Sequence, residues 1–521
     1  MKKLVYAALA LCAFSSASYA QYKVTGVVYE DTNRNEKKDR KEKGLPNVLV
    51  SNGVDVVSTD SNGRYQLELT NDAPVFVIKP SGYQFHLDAH NLPKFYYLHK
   101  PNGSPASEYE GVKPTGKLPE SLDFALFPAE ENQQFTAFTF GDPQAYNLQE
   151  IQYFINGIIK DVDRSKAVFG ISLGDLVGDD LSLHPPYKDA IKQIGLPWYN
   201  VMGNHDMNYD AKIDEHSDET YEKHFGPNNF SFNYGKVHFI ILDNILYPDP
   251  RDGKGYWAGF RSDQLKFVEN NLKHVPKDHL IVLAFHIPLE DNNGEWFRVA
   301  DREKLFDLLK DFPHTLSLSA HTHIQQQLFH GKDKGWKQEK PHHEYNVGTT
   351  SGDWYSGEIN AQGVPESTMR DGTAKGYALI HFNGNSYEVD YKVAGKPEDY
   401  QMNVFAPKAV LKAERSRHSV YANVFMGNPN DEVLFRINEG EWKKMKFTNE
   451  EDPKYQSNFY KWDLSETAVR GRRPSKSMKS THLWSARIPT NLEVGEHTIE
   501  IKATDMYGKV HYGSTTYKIT E

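Results

Sequence analysis

The pattern of apolar and polar positions divides the chain into three parts. Residues 21–131 and 398–521 carry short runs of β-branched and aromatic residues separated by turn signals such as Asn52-Gly53. That pattern is typical of strands joined by tight turns. In residues 132–397, short apolar runs instead alternate with stretches of helical period. We therefore predict a central α/β domain flanked by two small all-β domains.

The helical stretches of the central part lie between its apolar runs. Leu148, Ile151 and Phe154 begin an apolar face that continues to residue 162. Ser262 and Asp301 are predicted to be the N-caps of two further helices. Helices placed between buried strands suit a mainly parallel sheet that is covered on both faces.

Polar side chains follow five predicted strands at the point where each one ends. The strands are residues 135–140, 167–173, 196–202, 280–285 and 315–319. The side chains that follow them are Asp142, Gln144, Asp175, Asn204, His205, Asp206, His286, His321 and His323. The carboxyl ends of strands in an open α/β sheet are where ligands collect. A single acid after a strand is ordinary turn chemistry, but five such ends together indicate one functional site.

The third strand end suggests acid–base chemistry. Gly203 permits a sharp turn, and Asn204 then offers a neutral oxygen. His205 can exchange a proton near neutral pH. Asp206 is predicted to orient that histidine.

The order Gly-Asp-x-x, Gly-Asp-Leu-Val, Gly-Asn-His-Asp, a lone His and His-x-His resembles the calcineurin-like metallophosphoesterase family over residues 132–395. The resemblance implies a four-layer α/β/β/α sandwich. It also implies hydrolysis of phosphate mono- or diesters, in which two divalent metal ions activate water and neutralise phosphate charge. The preceding β region resembles the transthyretin-like modules of secreted phosphoesterases.

The resemblance also implies a role for each polar residue. Asp175 would bridge the two metals, and His205 would assist the phosphoryl or leaving group. The remaining ligands would be Asp142, Gln144 and His323 at the first metal and Asn204, His286 and His321 at the second.

The chain departs from the family pattern at three positions. Gln144 stands where the family usually has histidine. Its harder, more weakly binding amide oxygen either favours Mn²⁺ or Mg²⁺ over Zn²⁺ or Fe or leaves the first site partly empty. We therefore expect manganese. Gly178 stands where the protein-phosphatase branch has an acid, which speaks against a protein-phosphatase function. Ala320 replaces the usual glycine before His-x-His.

Two loops are candidates for the rim of the site. Trp354, Tyr355 and Arg370 are predicted to contact the substrate, although simple packing beneath a loop is an alternative. A basic loop in the C-terminal part is either solvated or reaches the mouth of the site, and it contains Arg470, Arg472, Arg473, Lys476 and Lys479. Other histidines without a matching motif are interpreted as surface or packing residues, namely His184, His216, His224, His238, His279, His342 and His343.

A loop in the first β region has the spacing of a calcium site. The oxygen-bearing side chains at positions 1, 3, 5, 9 and 12 of an EF-hand-like loop are Asp31, Asn33, Asn35, Asp39 and Glu42. Position 6, where such loops have glycine, is Glu36. A solvated charged loop is therefore the alternative interpretation.

Composition and the first residues suggest a location and exclude some partners. Residues 1–20 have the pattern of a secretion signal cleaved after Ala20, which predicts a secreted, periplasmic or cell-surface protein. The only cysteine, Cys12, lies in that segment. Without Lys2 and Lys3, the net charge of −10 becomes −12, which disfavours nucleic acid as a partner. No later stretch predicts a membrane span.

A small organic phosphate ester is therefore the expected substrate. The sequence leaves open whether it is a monoester or a diester. The alternative is a non-catalytic cell-surface or glycan-binding protein whose metal site has decayed.

Overall fold

The computed structural model describes residues 22–289 and 296–521. The predicted signal segment lies outside the described residues. The N-terminal region consists of two four-stranded sheets with the orders β4-β1-β8-β6 and β3-β2-β5-β7. Its strands are β1 (Tyr22–Glu30), β2 (Leu49–Ser51), β3 (Val56–Ser58), β4 (Arg64–Leu69), β5 (Ala73–Ile78), β6 (Tyr83–Phe85), β7 (Tyr96–His99) and β8 (Phe124–Pro128).

Two larger sheets form the central region. Its strands are β9 (Gln134–Phe140), β10 (Phe169–Leu173), β11 (Trp198–Val201), β12 (Phe230–Tyr234), β13 (Val237–Ile241), β14 (Ile245–Leu246), β15 (Trp257–Ala258), β16 (Leu280–Ala284), β17 (Thr315–Ser319), β18 (Gln326–His330), β19 (His342–Asn346), β20 (Gly357–Glu358), β21 (Gly376–Asn383) and β22 (Ser386–Val393). One sheet has the order β11-β10-β9-β21-β22, and the other has the order β12-β13-β16-β17-β19-β18.

Aromatic side chains fill the space between these two sheets. Phe169 of β10 contacts Phe232 and Phe239 of the second sheet, with ring centroids 5.6 and 5.4 Å apart. Phe135 of β9 lies 4.3 Å from Tyr234. Face-to-face sheet packing of this kind buries one face of each sheet.

Helices cover the outer faces of the two sheets. The helices of the central region are α1 (Leu148–Gly157), α2 (His184–Ile191), α3 (Glu219–Phe225), α4 (Ser262–Leu272) and α5 (Val299–Leu309). Helix α1 packs with α2 through stacked Phe154 and Tyr187, and Phe154 also contacts Phe140 of the first sheet. Helices α4 and α5 pack together as a second pair. The predicted α/β/β/α architecture is confirmed.

The helix boundaries differ from the predicted ones. Helix α1 ends at Gly157 rather than near residue 162, and Leu148 is 65% exposed. Ser262 is the first residue of α4 instead of its cap. Asp301 lies inside α5, where its carboxylate accepts a 2.7 Å hydrogen bond from the Phe260 amide. The Asp301 carboxylate therefore has a partner outside its own helix, and residue type alone did not locate the two caps.

The C-terminal region is β-rich but not all-β as predicted. Helix α6 (Pro453–Leu464) interrupts it, with the Asp452 side chain accepting from the Tyr455 amide at its N-terminus. The strands are β23 (Met402–Phe405), β24 (Ala409–Leu411), β25 (Ser419–Val424), β26 (Glu432–Ile437), β27 (Lys443–Lys444), β28 (Lys446–Phe447), β29 (Gly471–Arg472), β30 (Leu483–Arg487), β31 (Gly495–Thr504) and β32 (Val510–Thr520). They form sheets β23-β25-β30-β28 and β24-β32-β31-β26-β27, while β29 pairs with β20 of the central region.

The flanking regions differ in how their apolar cores relate to the centre. One continuous apolar cluster runs through the N-terminal and central regions and includes Phe425 and Met426 of the C-terminal region, which also has a second cluster of its own. Phe76 of β5 and Phe267 of α4 link the first two regions, with centroids 5.7 Å apart. Within the described residues, every helix is too short or too polar to cross a bilayer.

Replacing Phe76 by alanine tests whether the N-terminal and central regions fold as one unit. Phe76 is fully buried, so Phe76→Ala should lower the free energy of unfolding by about 3–5 kcal/mol. Phe329→Ala is the control, because Phe329 is 42% exposed and should matter much less. Denaturant unfolding followed by central-region tryptophan fluorescence is the measurement. Equal effects of the two substitutions would show that the central region unfolds independently of this contact.

Candidate functional site

The predicted site residues meet at one edge of the two sheets. Strands β9, β10 and β11 run parallel, as do β13, β16, β17 and β19 of the second sheet. Their carboxyl ends therefore lie together, and the loops that follow carry the polar residues. A hydrogen bond from the His321 amide to Asp142 Oδ2, 3.0 Å long, joins the loops of the two sheets.

Five of these residues have a backbone conformation that is unusual for non-glycine residues. They are Asp142 (φ 34°), Gln144 (φ 38°), Asp175 (φ 47°), His321 (φ 67°) and His323 (φ 51°). Such conformations cost about 1–3 kcal/mol each and concentrate at functional sites. The strain turns side chains from consecutive loops towards a common centre.

Two glycines allow the loops to approach each other closely. A Cβ at Gly203 would lie 2.0 Å from the Asp175 amide nitrogen. A Cβ at Gly174, where φ is +91°, would lie 2.6 Å from Nδ1 of His286. The Gly-Asp and Gly-Asn-His-Asp motifs therefore require glycine for space as well as for backbone freedom.

Asp175, His286 and His321 form a compact group of possible metal ligands. Each offers one ligand atom, and these atoms lie within 4.8 Å of one another. His286 Nδ1 donates to the Leu173 carbonyl oxygen at 2.8 Å, which leaves Nε2 facing the site. That Nε2 lies 3.2 Å from Asp175 Oδ1 and 3.2 Å from Asn204 Oδ1. Asn204 thus joins the group, as predicted for the second metal.

The residues predicted for the first metal lie beside this group. His323 Nδ1 donates to the Gly352 carbonyl oxygen at 2.7 Å, and its Nε2 lies 3.8 Å from Asp142 Oδ1. Asp142 Oδ1 and Gln144 Oε1 are both buried, and within the described part of the chain neither has a hydrogen-bond partner. Buried polar atoms are rarely left without a partner. These two oxygens therefore have the environment expected of metal ligands.

The protonation states differ between the histidines of the group. Burial alone would lower the pKa of His286, but the carboxylate of Asp175 outweighs it and raises that pKa to about 9. Burial, followed by the charge of His286, lowers the pKa of His321 to about 3. Burial is also the main cause that lowers the pKa of His323 to about 4. Neutral imidazoles of this kind are the form that coordinates metal ions.

Asp206 supports the loops rather than His205. Its fully buried carboxylate accepts hydrogen bonds from the amides of Leu176, Val177 and Gly203 at 2.9–3.3 Å. Nε2 of His184 lies 3.2 Å from Asp206 Oδ1. The expectation that Asp206 orients the His205 ring is therefore corrected, because its oxygens are used elsewhere. His184, interpreted from the sequence as a packing residue, contacts the same carboxylate.

His205 is instead paired with Asp179. Its Nδ1 lies 2.6 Å from Asp179 Oδ1. Burial alone would lower the pKa of His205, but the carboxylates of Asp175 and then Asp179 outweigh it and raise that pKa to about 9. The imidazole therefore holds a proton beside the ligand group. Asp179 was not recognised as a site residue, because a loop acid four positions after Asp175 carries no distinguishing sequence signal.

The predicted rim residues behave differently from one another. The Trp354 ring stacks on His323 with centroids 4.0 Å apart, and the guanidinium of Arg370 lies 5.2 Å from the Trp354 ring. Tyr355 is only 4% exposed, and its hydroxyl donates to the Pro143 carbonyl. Trp354 and Arg370 thus lie at the site, whereas Tyr355 packs beneath the loop and offers no surface to a ligand.

The basic C-terminal loop reaches the same rim. Strand β29 pairs with β20, and Arg472 Nη1 donates a 3.1 Å hydrogen bond to the Trp354 carbonyl oxygen.

Three tyrosines that the sequence did not single out also lie near the ligand group. Tyr146 lies 5.9 Å from His205, and Tyr256 lies 6.3 Å from His321. Burial, followed by the charges of Asp179 and Asp175, raises the pKa of Tyr209.

The proposed calcium loop is closed on itself by hydrogen bonds. Asp31 is fully buried and accepts from the amides of Asn35 and Glu36, while His86 Nε2 lies 2.8 Å from its Oδ2. The side chains of Asn33 and Asn35 both donate to Asp39 Oδ2 at 2.6 and 3.0 Å. Glu42 accepts from the amide of Thr32. Calcium binding here stays a prediction.

Profiles of known families match most of the chain. The profile described as calcineurin-like phosphoesterase matches residues 138–325. The profiles for the N terminal and the C terminal of calcineurin-like phosphoesterase match residues 31–111 and 344–511. The chain belongs to the calcineurin-like phosphoesterases with N- and C-terminal flanking regions.

Solved structures resemble this calcineurin-like phosphoesterase only distantly. The purple acid phosphatase PPD1 from yellow lupin (Lupinus luteus) seeds is similar over 72% of this chain and 67% of its own, at 12% identity and a TM-score of 0.37. GAP50, the anchor in the inner membrane complex of Plasmodium, is similar over 50% of this chain and 85% of its own, at 15% identity and a TM-score of 0.32. A search of curated proteins finds no match.

The departures from the family pattern have local physical explanations. The family typically holds two metal ions, and the orphaned oxygens of Asp142 and Gln144 fit a second ion beside the Asp175 group. A Cβ at Gly178 would lie 2.7 Å from the Tyr146 ring. This calcineurin-like phosphoesterase therefore places Tyr146 in space that a side chain at position 178 would take.

Replacing Asp179 by asparagine tests the partner of His205. Because the Asp179 carboxylate raises the pKa of His205, Asp179→Asn should move that pKa down from about 9 towards the ordinary value near 6.5. Histidine NMR titration of metal-free protein is the measurement. Asp180→Asn is the control, because Asp180 instead accepts from Ser182. A His205 pKa that is unchanged in Asp179→Asn would contradict the pairing.

Proposed function

We propose that the protein is a secreted, metal-dependent phosphoesterase that hydrolyses small organic phosphate esters. The observation that supports this most strongly is the pair of buried oxygens, Asp142 Oδ1 and Gln144 Oε1, which lack hydrogen-bond partners beside the group of Asp175, His286 and His321. Oxygen and imidazole ligands from five loops suit two divalent ions, with manganese favoured by the Gln144 amide.

Each of the main candidate site residues would have a definite role in the reaction. Asp175, the shared ligand that the family resemblance implies, would help to hold both ions. When bound, the divalent pair would lower the pKa of water and neutralise charge on the phosphoryl oxygens. His205 would donate its proton to the leaving oxygen or a hydrogen bond to the phosphoryl group. Asp179 would keep the His205 ring protonated and oriented.

The positively charged residues at the rim favour a substrate with an anionic, exposed phosphate. The guanidinium groups of Arg370 and Arg472 flank Trp354, which itself stacks on His323. Burial, then Asp179 and Asp175, raises the pKa of Tyr146, and Arg472 opposes that rise. The charge of Arg472 therefore affects the same part of the site as the Asp175 and Asp179 carboxylates. We infer that both arginines hold phosphate oxygens, since guanidinium pairs well with phosphate.

The location of the substrate follows from the first residues of the chain. A signal segment cleaved after Ala20 would take the protein out of the cytoplasm. The acidic net charge of the mature chain disfavours a nucleic acid substrate. Small extracytoplasmic phosphate esters are the substrates that agree with both features.

Metal removal and reconstitution test this function. Chelation should abolish hydrolysis of a chromogenic phosphate ester, and Mn²⁺ should restore it. His205→Ala should keep its metal content but turn over about 10²–10⁴-fold more slowly, because it lacks the proton donor. His274→Ala, which removes an exposed histidine, is the control.

Two results would contradict the proposal. One is no turnover of mono- or diesters with Mn²⁺, Zn²⁺, Fe²⁺, Co²⁺ or Mg²⁺. That result would favour a non-catalytic binding protein. The other is an equal rate for His205→Ala and the unmodified protein, which would remove His205 from the mechanism.

Removing the Arg472 side chain tests the role of the C-terminal region. Arg472→Ala should raise KM for a phosphate monoester about 10–100-fold, as expected for the loss of a charged hydrogen bond. Arg470→Ala is the matched control, because Arg470 is exposed on the same loop. Unchanged KM values in both variants would show that the loop plays no part in substrate binding.

A further inference from the structure

A second group of possible metal ligands lies where the N-terminal region meets the central one. Asp72 belongs to the loop between β4 and β5, His216 ends a short turn, and Glu219 is the first residue of α3. Each offers one ligand atom, and these atoms lie within 4.8 Å of one another. None of the three belongs to the candidate catalytic site.

A lysine already occupies part of this cluster. Lys100 Nζ lies 2.8 Å from Asp72 Oδ1, 2.7 Å from Glu219 Oε2 and 2.9 Å from Glu222 Oε2. An ammonium group has three hydrogens to donate, but Glu222 Oε2 makes no hydrogen bond within the described residues, so its contact with Lys100 is an ion pair only. The other oxygens of the carboxylates must find different partners.

One of those oxygens is buried and has no partner. Glu219 is 1% exposed, and its Oε2 accepts from Lys100 and from Ser104. Its Oε1 is buried and makes no hydrogen bond within the described residues. A buried carboxylate oxygen without a donor is costly, and a bound cation is one way to satisfy it.

The charge of the cluster leads to the same conclusion. Three carboxylates, those of Asp72, Glu219 and Glu222, surround the single positive charge of Lys100. The carboxylates outnumber the lysine. A divalent cation would offset this excess of negative charge, and the imidazole of His216 would contribute a nitrogen ligand without adding negative charge.

We propose that Asp72, His216 and Glu219 bind a structural divalent cation that ties the N-terminal region to the central one. Two carboxylate oxygens and one imidazole nitrogen form a ligand set that suits Zn²⁺, with water in a fourth position. The ion would join segments that are distant in sequence, so it would stabilise the contact between the two regions. Lys100 would remain as the second cation of the same cluster.

Metal content measured on the full chain tests the proposal. After equilibration with Zn²⁺ and removal of free metal, Asp72→Asn and His216→Ala should each contain about one ion per chain less than the unmodified protein. Asp72→Asn keeps an oxygen that can accept from Lys100, so it removes the anionic ligand with little other change. Asp55→Asn and His274→Ala are the matched controls, since both remove exposed residues of the same types.

A second readout separates this site from the catalytic one. Zn²⁺ should raise the thermal unfolding midpoint less in the two site variants than in the two controls, because the catalytic ligands are intact in all four. Phosphate ester hydrolysis should be the same in all four. If the site variants keep the metal content of the controls, or gain the same stabilisation from Zn²⁺, the proposed cation site is wrong.

Discussion

The buried carboxylate of Asp206 holds the candidate site together. It accepts hydrogen bonds from backbone amides in the loop after β10 and in the loop after β11. Charged acceptors of this kind form stronger hydrogen bonds than neutral ones. Asp175 and Asn204 are carried by these same two loops, so their relative positions depend on a residue that faces away from the ligand centre. The close approach at Gly203 has the same effect, because a side chain there would push the two loops apart.

The unusual backbone conformations of the candidate ligands are maintained by the rigid sheets behind the site. Asp142, Asp175, His321 and the other residues with positive φ would relax to ordinary conformations in an isolated loop. They remain strained because each follows a largely buried strand whose register is set by its neighbours. The aromatic packing between the two sheets therefore does more than stabilise the fold. It fixes the strand ends, and with them the direction in which the ligands point.

The central fold and the ligand positions could be predicted because both have a local sequence signal. Apolar runs identify the buried strands, and a Gly-Asp or His-x-His sequence at the end of a run identifies the turn. Asp179 and helix α6 could not be predicted in this way, and for the basic loop that contains Arg472 the sequence left open whether it reaches the site. Asp179 depends on how its loop curves back to His205, and Arg472 depends on the pairing of β29 with β20 from a distant part of the chain. Helix α6 buries only Tyr455 among its described residues, so its other apolar side chains do not mark a core-facing stripe.

The two flanking regions contribute to the site through different kinds of contact. The N-terminal region shares one apolar cluster with the centre, so its separation would expose a large hydrophobic surface. The C-terminal region has a cluster of its own, but its Phe425 and Met426 join the shared cluster, and polar contacts such as those of His482 and Asn423 with Asp371 accompany them. The pairing of β29 with β20 adds a backbone link, and this link places Arg472 beside Trp354. The N-terminal region therefore supports the sheets, whereas the C-terminal region carries Arg472 to the rim of the candidate site.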